Sequence, residues 1–196
     1  MNHFNENKSP LYYDGSVGGP LGLLPMTIGN QVSLNFNKAT CKESSYFPAM
    51  RYSVGHQAGK NAAASIFSSL SKDNKGKITE VIRIVSHSMG GAYAKGYAQA
   101  LMEYILEHPD LTNGASLVEY DFAPFQPESQ KAVYGIDTFQ YSHHYDRIAH
   151  DGIIEGAHYR TSNDRNRGHS ISDFVSYISQ LPEGNYIVIN GQIVKK

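Results

Sequence analysis

Cysteine is nearly missing from this sequence: one thiol, Cys41, stands in 196 residues. A single cysteine excludes an internal disulfide and a zinc site built on cysteine thiolates. Its surroundings do not mark it as a nucleophile, and it reads as a partly buried or incidental thiol. Tryptophan is absent, and the 14 tyrosines are scattered along the chain. No sign of charge dominates, with 17 Lys and Arg against 18 Asp and Glu and a formal net charge of -1. Without a basic excess there is no electrostatic case for nucleic acid. No apolar run approaches the roughly 20 residues that a membrane-spanning helix needs. The first ten residues, MNHFNENKSP, are polar and do not read as a secretory signal peptide. Repeats and low-complexity blocks are also lacking, and nothing calls for a cofactor.

Hydrophobic residues make up 40% of the chain and charged residues 18%, the balance of a globular protein rather than a disordered one. The length suits one domain with a real core. Residues 1–25 carry Pro10, Pro20, Pro25 and the loose Gly15-Ser16-Val17-Gly18-Gly19, and read as an irregular arm. Residues 26–196 are expected to form a single domain. Alternating Val32, Leu34 and Phe36 predict a first strand over residues 31–36. Residues 37–52 lack a pattern and read as a loop. Ala58, Ala62, Ile66 and Leu70 predict a helix over 55–70, ended by Asp73-Asn74-Lys75-Gly76. Further strands are expected at 116–122 and 137–142, with a short helix at 127–133 between them. A last helix is expected at 171–181, and a C-terminal β-hairpin on the Asn190-Gly191 turn. Strands alternating with helices predict an α/β fold with a mainly parallel central sheet flanked by helices. Sites in such sheets form beyond the carboxyl ends of the strands.

The most informative stretch is residues 78–101, ITEVIRIVSHSMGGAYAKGYAQAL. Val81-Ile82-Arg83-Ile84-Val85 suits a buried strand. Ser86-His87-Ser88-Met89-Gly90-Gly91 then turns sharply, and Ala94, Ala98, Leu101 and Ile105 follow at helical spacing. Strand, tight small-residue turn and helix make a nucleophile elbow with Ser88 at its tip. The pattern is S-x-S-x-G, with Ser86 where G-x-S-x-G has glycine. The competing reading is an ordinary strand-to-helix turn whose serines cap the helix.

A serine hydroxyl needs an adjacent base, and the base needs an orienting carboxylate, in the chain order Ser, acid, His on such a sheet. Asp146, just beyond the strand at 137–142, is the candidate acid. Asp151 is its nearest competitor; Asp121 and Asp137 lie within or before strands. His169, on a loop opening into the last helix, is the favoured base, with His158 as the alternative. Two backbone N–H donors should face the developing oxyanion: one from Met89, the other from the loop around residues 36–38. The cluster His143, His144, Asp146 and His150 reads less well as a metal site, because adjacent strand residues point to opposite faces.

With these residues in place the chain resembles the α/β-hydrolase lipases. VSHSMGGAYA is similar to their V-x-H-S-[LM]-G-G-A elbow. YDRIAH resembles the acid-bearing N-D-x-V-P-H segment of fungal class 3 triacylglycerol lipases, with Arg147 and Ala149 departing from it. The resemblance covers roughly residues 78–175 and implies Ser88 as nucleophile and Asp146 as acid. A second resemblance is to lipase-like domains at the C-termini of bacterial Rhs-type and polymorphic toxins. It rests on the elbow, on Ala94-Lys95-Gly96, on Phe122-Ala123-Pro124-Phe125-Gln126 and on Gly168-His169-Ser170. It implies a secreted antibacterial effector, delivered to a target cell without an N-terminal signal peptide, that attacks membrane lipid and has a cognate immunity protein. Outside that setting the expectation is a cytoplasmic protein.

The leading expectation is a serine ester hydrolase acting on lipid esters, a lipase or phospholipase working through an acyl-enzyme. The same machinery would serve a small-ester esterase, a thioesterase or an acyltransferase. The reading from another class is a non-catalytic α/β binding module with a degenerate elbow.

Overall fold

The computed structural model describes residues 48–149, 152–165, 167–178 and 180–196. The first helix, α1, runs from Pro48 to Ser69, and a proline suits that first position because its missing N–H has no helical acceptor. Its buried residues, Arg51, Gly55, Gly59, Ala63 and Phe67, recur every fourth position along one stripe. That stripe packs on α2, Gly90–Glu107. The approach is backbone to backbone: a methyl group on Gly96 would stand 1.9 Å from the Tyr52 carbonyl oxygen, and one on Gly55 2.0 Å from that of Tyr93. The amino-terminal halves of the two helices are thereby pressed together.

Between the helices, Asp73 accepts from the N–H groups of Lys75 and Lys77, each at 2.8 Å, and closes the turn into β1, Val81–His87. A four-residue helix, α3, Pro109–Thr112, follows α2. The remaining strands of the main sheet are β2, Ser116–Phe122, β3, Asp137–His143, and β4, His158–Ser162. They lie in the order β1-β2-β3-β4 and every pair is parallel. β2 is buried along its whole length, as a parallel strand covered on both faces must be. Leu117 packs into the cluster under α1 and α2, with Ala98, Leu101 and Ile105. Val118, Tyr120 and Phe122 face the other way, onto Phe139, Tyr141 and Phe174. This is an α/β arrangement with helices against a parallel sheet.

Several expectations change. The first helix begins at Pro48, inside the expected loop, because its contact stripe is made of glycine and alanine rather than large apolar side chains. The short helix expected at 127–133 is only a 3-10 turn, Pro127–Ser129; Lys131 instead bridges to Glu155. The last helix is a 3-10 turn, Ile171–Phe174, followed by α4, Val175–Ile178. Strand β4 was not expected: HYRTS offers few apolar residues, and it is largely exposed. The hairpin forms as expected from β5, Tyr186–Ile189, and β6, Gln192–Lys195. It is tied to the body by Gly114 N–H to Val188 O, 2.7 Å, and Val188 N–H to Ala115 O, 2.8 Å. The arm at 1–25, the strand at 31–36, Cys41, and the loop up to residue 47 lie outside the described residues. No helix among the described residues is long and apolar enough to cross a membrane.

Candidate active site

β1 ends at His87, and the chain turns into α2 within two residues. Ser88 takes φ +55°, the left-handed region, which costs a non-glycine residue about 1–2 kcal/mol. Three backbone bonds hold it there. Its N–H donates to Phe122 O at 3.0 Å, and its carbonyl accepts from Gly91 N–H at 3.2 Å and Phe125 N–H at 3.0 Å. Met89 follows with φ -61° and ψ -20° as the N-terminal cap of α2, a position whose backbone N–H has no intrahelical acceptor. Ser86 fits without crowding, since even a Cβ added to Gly90 would stand 3.9 Å from the Ser86 Cβ.

Asp146 lies three residues beyond the end of β3 and is 3% exposed. Its Oδ1 accepts from Ile148 N–H at 2.8 Å and Ala149 N–H at 3.1 Å, which fixes the carboxylate plane. Its Oδ2 faces His169 Nδ1 at 2.8 Å. His169 Nε2 lies 2.7 Å from Ser88 Oγ. A carboxylate only accepts, so Nδ1 carries the proton; Nε2 of the neutral ring is then the acceptor for the Ser88 hydroxyl. Burial alone would raise the Asp146 carboxyl. The hydrogen bonds from His169, Ile148 and Ala149 outweigh it and hold the group below its ordinary value, so it is ionised at neutral pH.

The His169 loop is braced from both sides. Gly168 N–H donates to Asp173 Oδ2 at 2.9 Å, and Ser170 caps the following turn through Ser172 N–H at 3.3 Å. His87 Nε2–H donates to the His169 carbonyl at 2.6 Å, with the two rings 5.0 Å apart. Burial lowers the His87 pKa, which keeps a second positive charge away from His169.

The candidate trio Ser88, Asp146 and His169 is thus brought together, from loops after β1, β3 and β4. His158 is not: it lies at the opposite, amino edge, stacked on Phe139 with centroids 4.8 Å apart and 3.5 Å from Asp137 Oδ1. Asp121 is buried beneath the elbow. His143 is fully buried and stacked on Phe174 at 4.2 Å, away from the role of a ligand beside Asp146. Among the described residues no group of three or more His, Cys, Asp or Glu could hold a metal ion. Asp151, His150 and the loop around 36–38 lie outside the described residues.

The sequence reading missed two supports. One is His87, whose link to residue 169 crosses 82 positions. The other is a buried polar chain of Ser86, Asp121, Lys95 and Glu119 under the elbow. A lysine inside the apolar string GGAYAKGYAQAL was its visible signal, because a buried ammonium requires carboxylate partners. Comparison with family models, with curated proteins and with solved structures gave no match.

Proposed function

We propose that this protein is a serine ester hydrolase of the α/β-hydrolase type, acting on lipid esters through an acyl-enzyme. One observation carries the reading: His169 bridges Ser88 Oγ at 2.7 Å and Asp146 Oδ2 at 2.8 Å, with the serine on a left-handed turn. That is the geometry of nucleophile, base and orienting acid.

In the proposed reaction Ser88 Oγ attacks the ester carbonyl carbon while His169 Nε2 takes its proton. The carbonyl electrons move to oxygen, and the Met89 N–H donates to that oxyanion. Collapse breaks the bond to the alcohol oxygen, which leaves with the proton from His169. Water then attacks the acyl-enzyme, its proton passing to His169, and the acid is released with Ser88 restored. Asp146 stays ionised, orients the ring and stabilises the imidazolium. The extensive satisfaction of these side chains argues against a degenerate, non-catalytic elbow.

The lipid part rests on the lipase resemblance and on apolar side chains around the trio. Tyr145 at 41% and Ile148 at 52% exposure flank Asp146, and Ile171 at 42% follows His169 by two residues. An acyl chain or a lipid surface gives such groups a partner. The narrower reading, an antibacterial effector with a cognate immunity protein, rests on the second resemblance alone.

The test is hydrolysis of p-nitrophenyl esters with short and long acyl chains, wild type beside Ser88→Ala. Turnover that falls by on the order of a thousandfold in the variant supports the reading. A preference for long chains favours lipid esters, and for short chains a small-ester esterase. Equal activity of the two proteins overturns Ser88 as nucleophile. For the effector reading, Ser88→Ala must abolish growth inhibition when the protein is directed to the periplasm of a bacterial host.

A further inference from the structure

Ser86 stands where the elbow pattern has glycine, and its hydroxyl is fully engaged. It donates to Asp121 Oδ1. The other carboxylate oxygen, Asp121 Oδ2, accepts from Lys95 Nζ. Lys95 Nζ also lies 2.9 Å from Glu119 Oε1, and Glu119 Oε2 accepts from Thr138 Oγ1 at 3.3 Å. The chain joins β1, β2, β3 and α2, and its most exposed member, Ser86, is at 6%.

A buried ion pair of this kind is a poor device for stability alone, because desolvation consumes most of what the charges gain. Its position suggests another role. Ser86 is the register partner of Asp121 and the last residue but one before Ser88. Lys95 projects from the second turn of α2. The strand that enters the elbow and the helix that leaves it are therefore tied to the same carboxylate. Between them lies a residue at φ +55°, a conformation that persists only where the surroundings over-determine it.

We infer that Ser86 is a positioning residue for Ser88: anchored on Asp121, Lys95 and Glu119, its hydroxyl fixes the entry to the elbow. The departure from glycine is then an added support rather than decay of the motif. The inference rests on the reading of Ser88 as nucleophile.

The test is steady-state hydrolysis of a p-nitrophenyl ester by wild type, Ser86→Gly, Ser86→Ala and Ser86→Thr. Active sites are titrated with a serine-directed fluorophosphonate and thermal melts are run beside them. Displacement of a reacting group by a fraction of an ångström is felt in the chemical step. Ser86→Gly and Ser86→Ala are expected to lower kcat per titrated site about tenfold, with KM within about twofold. Ser86→Thr, which keeps the hydroxyl, recovers most of kcat. A support for the fold alone would lower the melting temperature and the titrated fraction and leave kcat per site untouched. That result, or wild-type kcat in Ser86→Ala, overturns the inference while leaving Ser88 in place. Should Ser86→Ala not melt cooperatively, Ser86→Cys fills the same space with a weak donor and is read the same way. A wild type that neither turns over nor labels at Ser88 overturns the underlying reading instead.

Discussion

The two edges of the sheet handle backbone strain in opposite ways. Among the described residues, those at positive φ ahead of the four parallel strands are all glycine: Gly76, Gly114, Gly135 and Gly156 precede β1, β2, β3 and β4 in turn. Beyond the carboxyl ends of β1 and β2 they are Ser88, Ala123 and Gln126. Glycine enters the left-handed region without a Cβ penalty, so the amino edge is relaxed. The carboxyl edge holds side chains in a conformation they resist, and it is the edge that carries the trio of Ser88, Asp146 and His169. Within the main sheet the non-glycine strain gathers around Ser88 and the chain that anchors it; the other such residue described, Asn190 at φ +48°, lies in the hairpin turn.

The sharpest way to separate the edges is to damage each and read activity and stability together. At the carboxyl edge, Asp146→Asn keeps the shape of the side chain and removes the charge that selects the His169 tautomer. A fall in kcat of about 10⁴-fold is expected, with the urea midpoint lowered only by what the ionised carboxylate contributes to the fold. A loss below tenfold would remove Asp146 from the orienting role. At the amino edge, Gly114→Ala places a Cβ 2.5 Å from Ile78 O at φ +87°. Stability should fall by about 2 kcal/mol or more, read from urea denaturation, while kcat per titrated site stays at the wild-type value. An activity loss larger than the stability loss would show that the two edges are not separable.

How far this division was legible in the sequence depended on which pattern each residue followed. The β-branched run before Ser88 and the small residues around it announced the elbow, and the strand ending at 142 placed Asp146 just beyond it. His169 and His158 stayed rivals because β4 was invisible: four of its five residues, His158, Arg160, Thr161 and Ser162, are polar or charged. Once β4 is drawn, His158 belongs to its amino end and drops out on topology alone. α1 extends seven residues ahead of its apolar pattern because Arg51, Gly55 and Gly59 repeat at helical spacing without apolar bulk. Nothing in SLVEYDF announces that Glu119 and Asp121 are both fully buried; that follows only from β2 lying between two strands and two layers.

Two carboxyls near the elbow should also respond to pH in opposite senses. Burial first, and Asp121 second, push Glu119 from its ordinary 4.5 up to about 7 against the pull of Lys95. Burial works against Lys95 as well, but Asp121 and Glu119 outweigh it and keep the ammonium charged. Between about pH 4.5 and 7 the folded protein therefore holds a proton on Glu119 that the unfolded chain has released. The contribution of Glu119 to stability therefore falls as pH rises through that window and levels off above it, while His87 and His143, both held low by burial, contribute a rise as pH climbs towards the ordinary histidine value. Asp146, held low, acts opposite to Glu119: its contribution is present above its unfolded pKa and is lost as pH falls through the folded one. In urea midpoints from pH 4 to 8 the advantage of the wild type over Glu119→Gln should shrink as pH rises through that window, with the acid limb the same in both. A difference between the two proteins that stays flat with pH would remove Glu119 from this role.

The smallest effect bears most directly on the contrast between the edges. Ala123, at φ +44° and fully buried, sits between Phe122, whose carbonyl takes the Ser88 N–H, and Phe125, whose N–H binds the Ser88 carbonyl. Ala123→Gly relieves left-handed strain of about 1–2 kcal/mol. It also deletes a buried methyl, about 0.8 kcal/mol, and loosens the unfolded chain by about 0.4–1 kcal/mol. These contributions nearly cancel, so the melting temperature should barely move. Activity should not be so indifferent, because a glycine hinge between the two backbone anchors of Ser88 lets the elbow breathe. A kcat lowered by about two- to fivefold at unchanged stability is the expected result. If kcat is unchanged as well, strain at residue 123 is incidental and the contrast between the edges contracts to Ser88 alone.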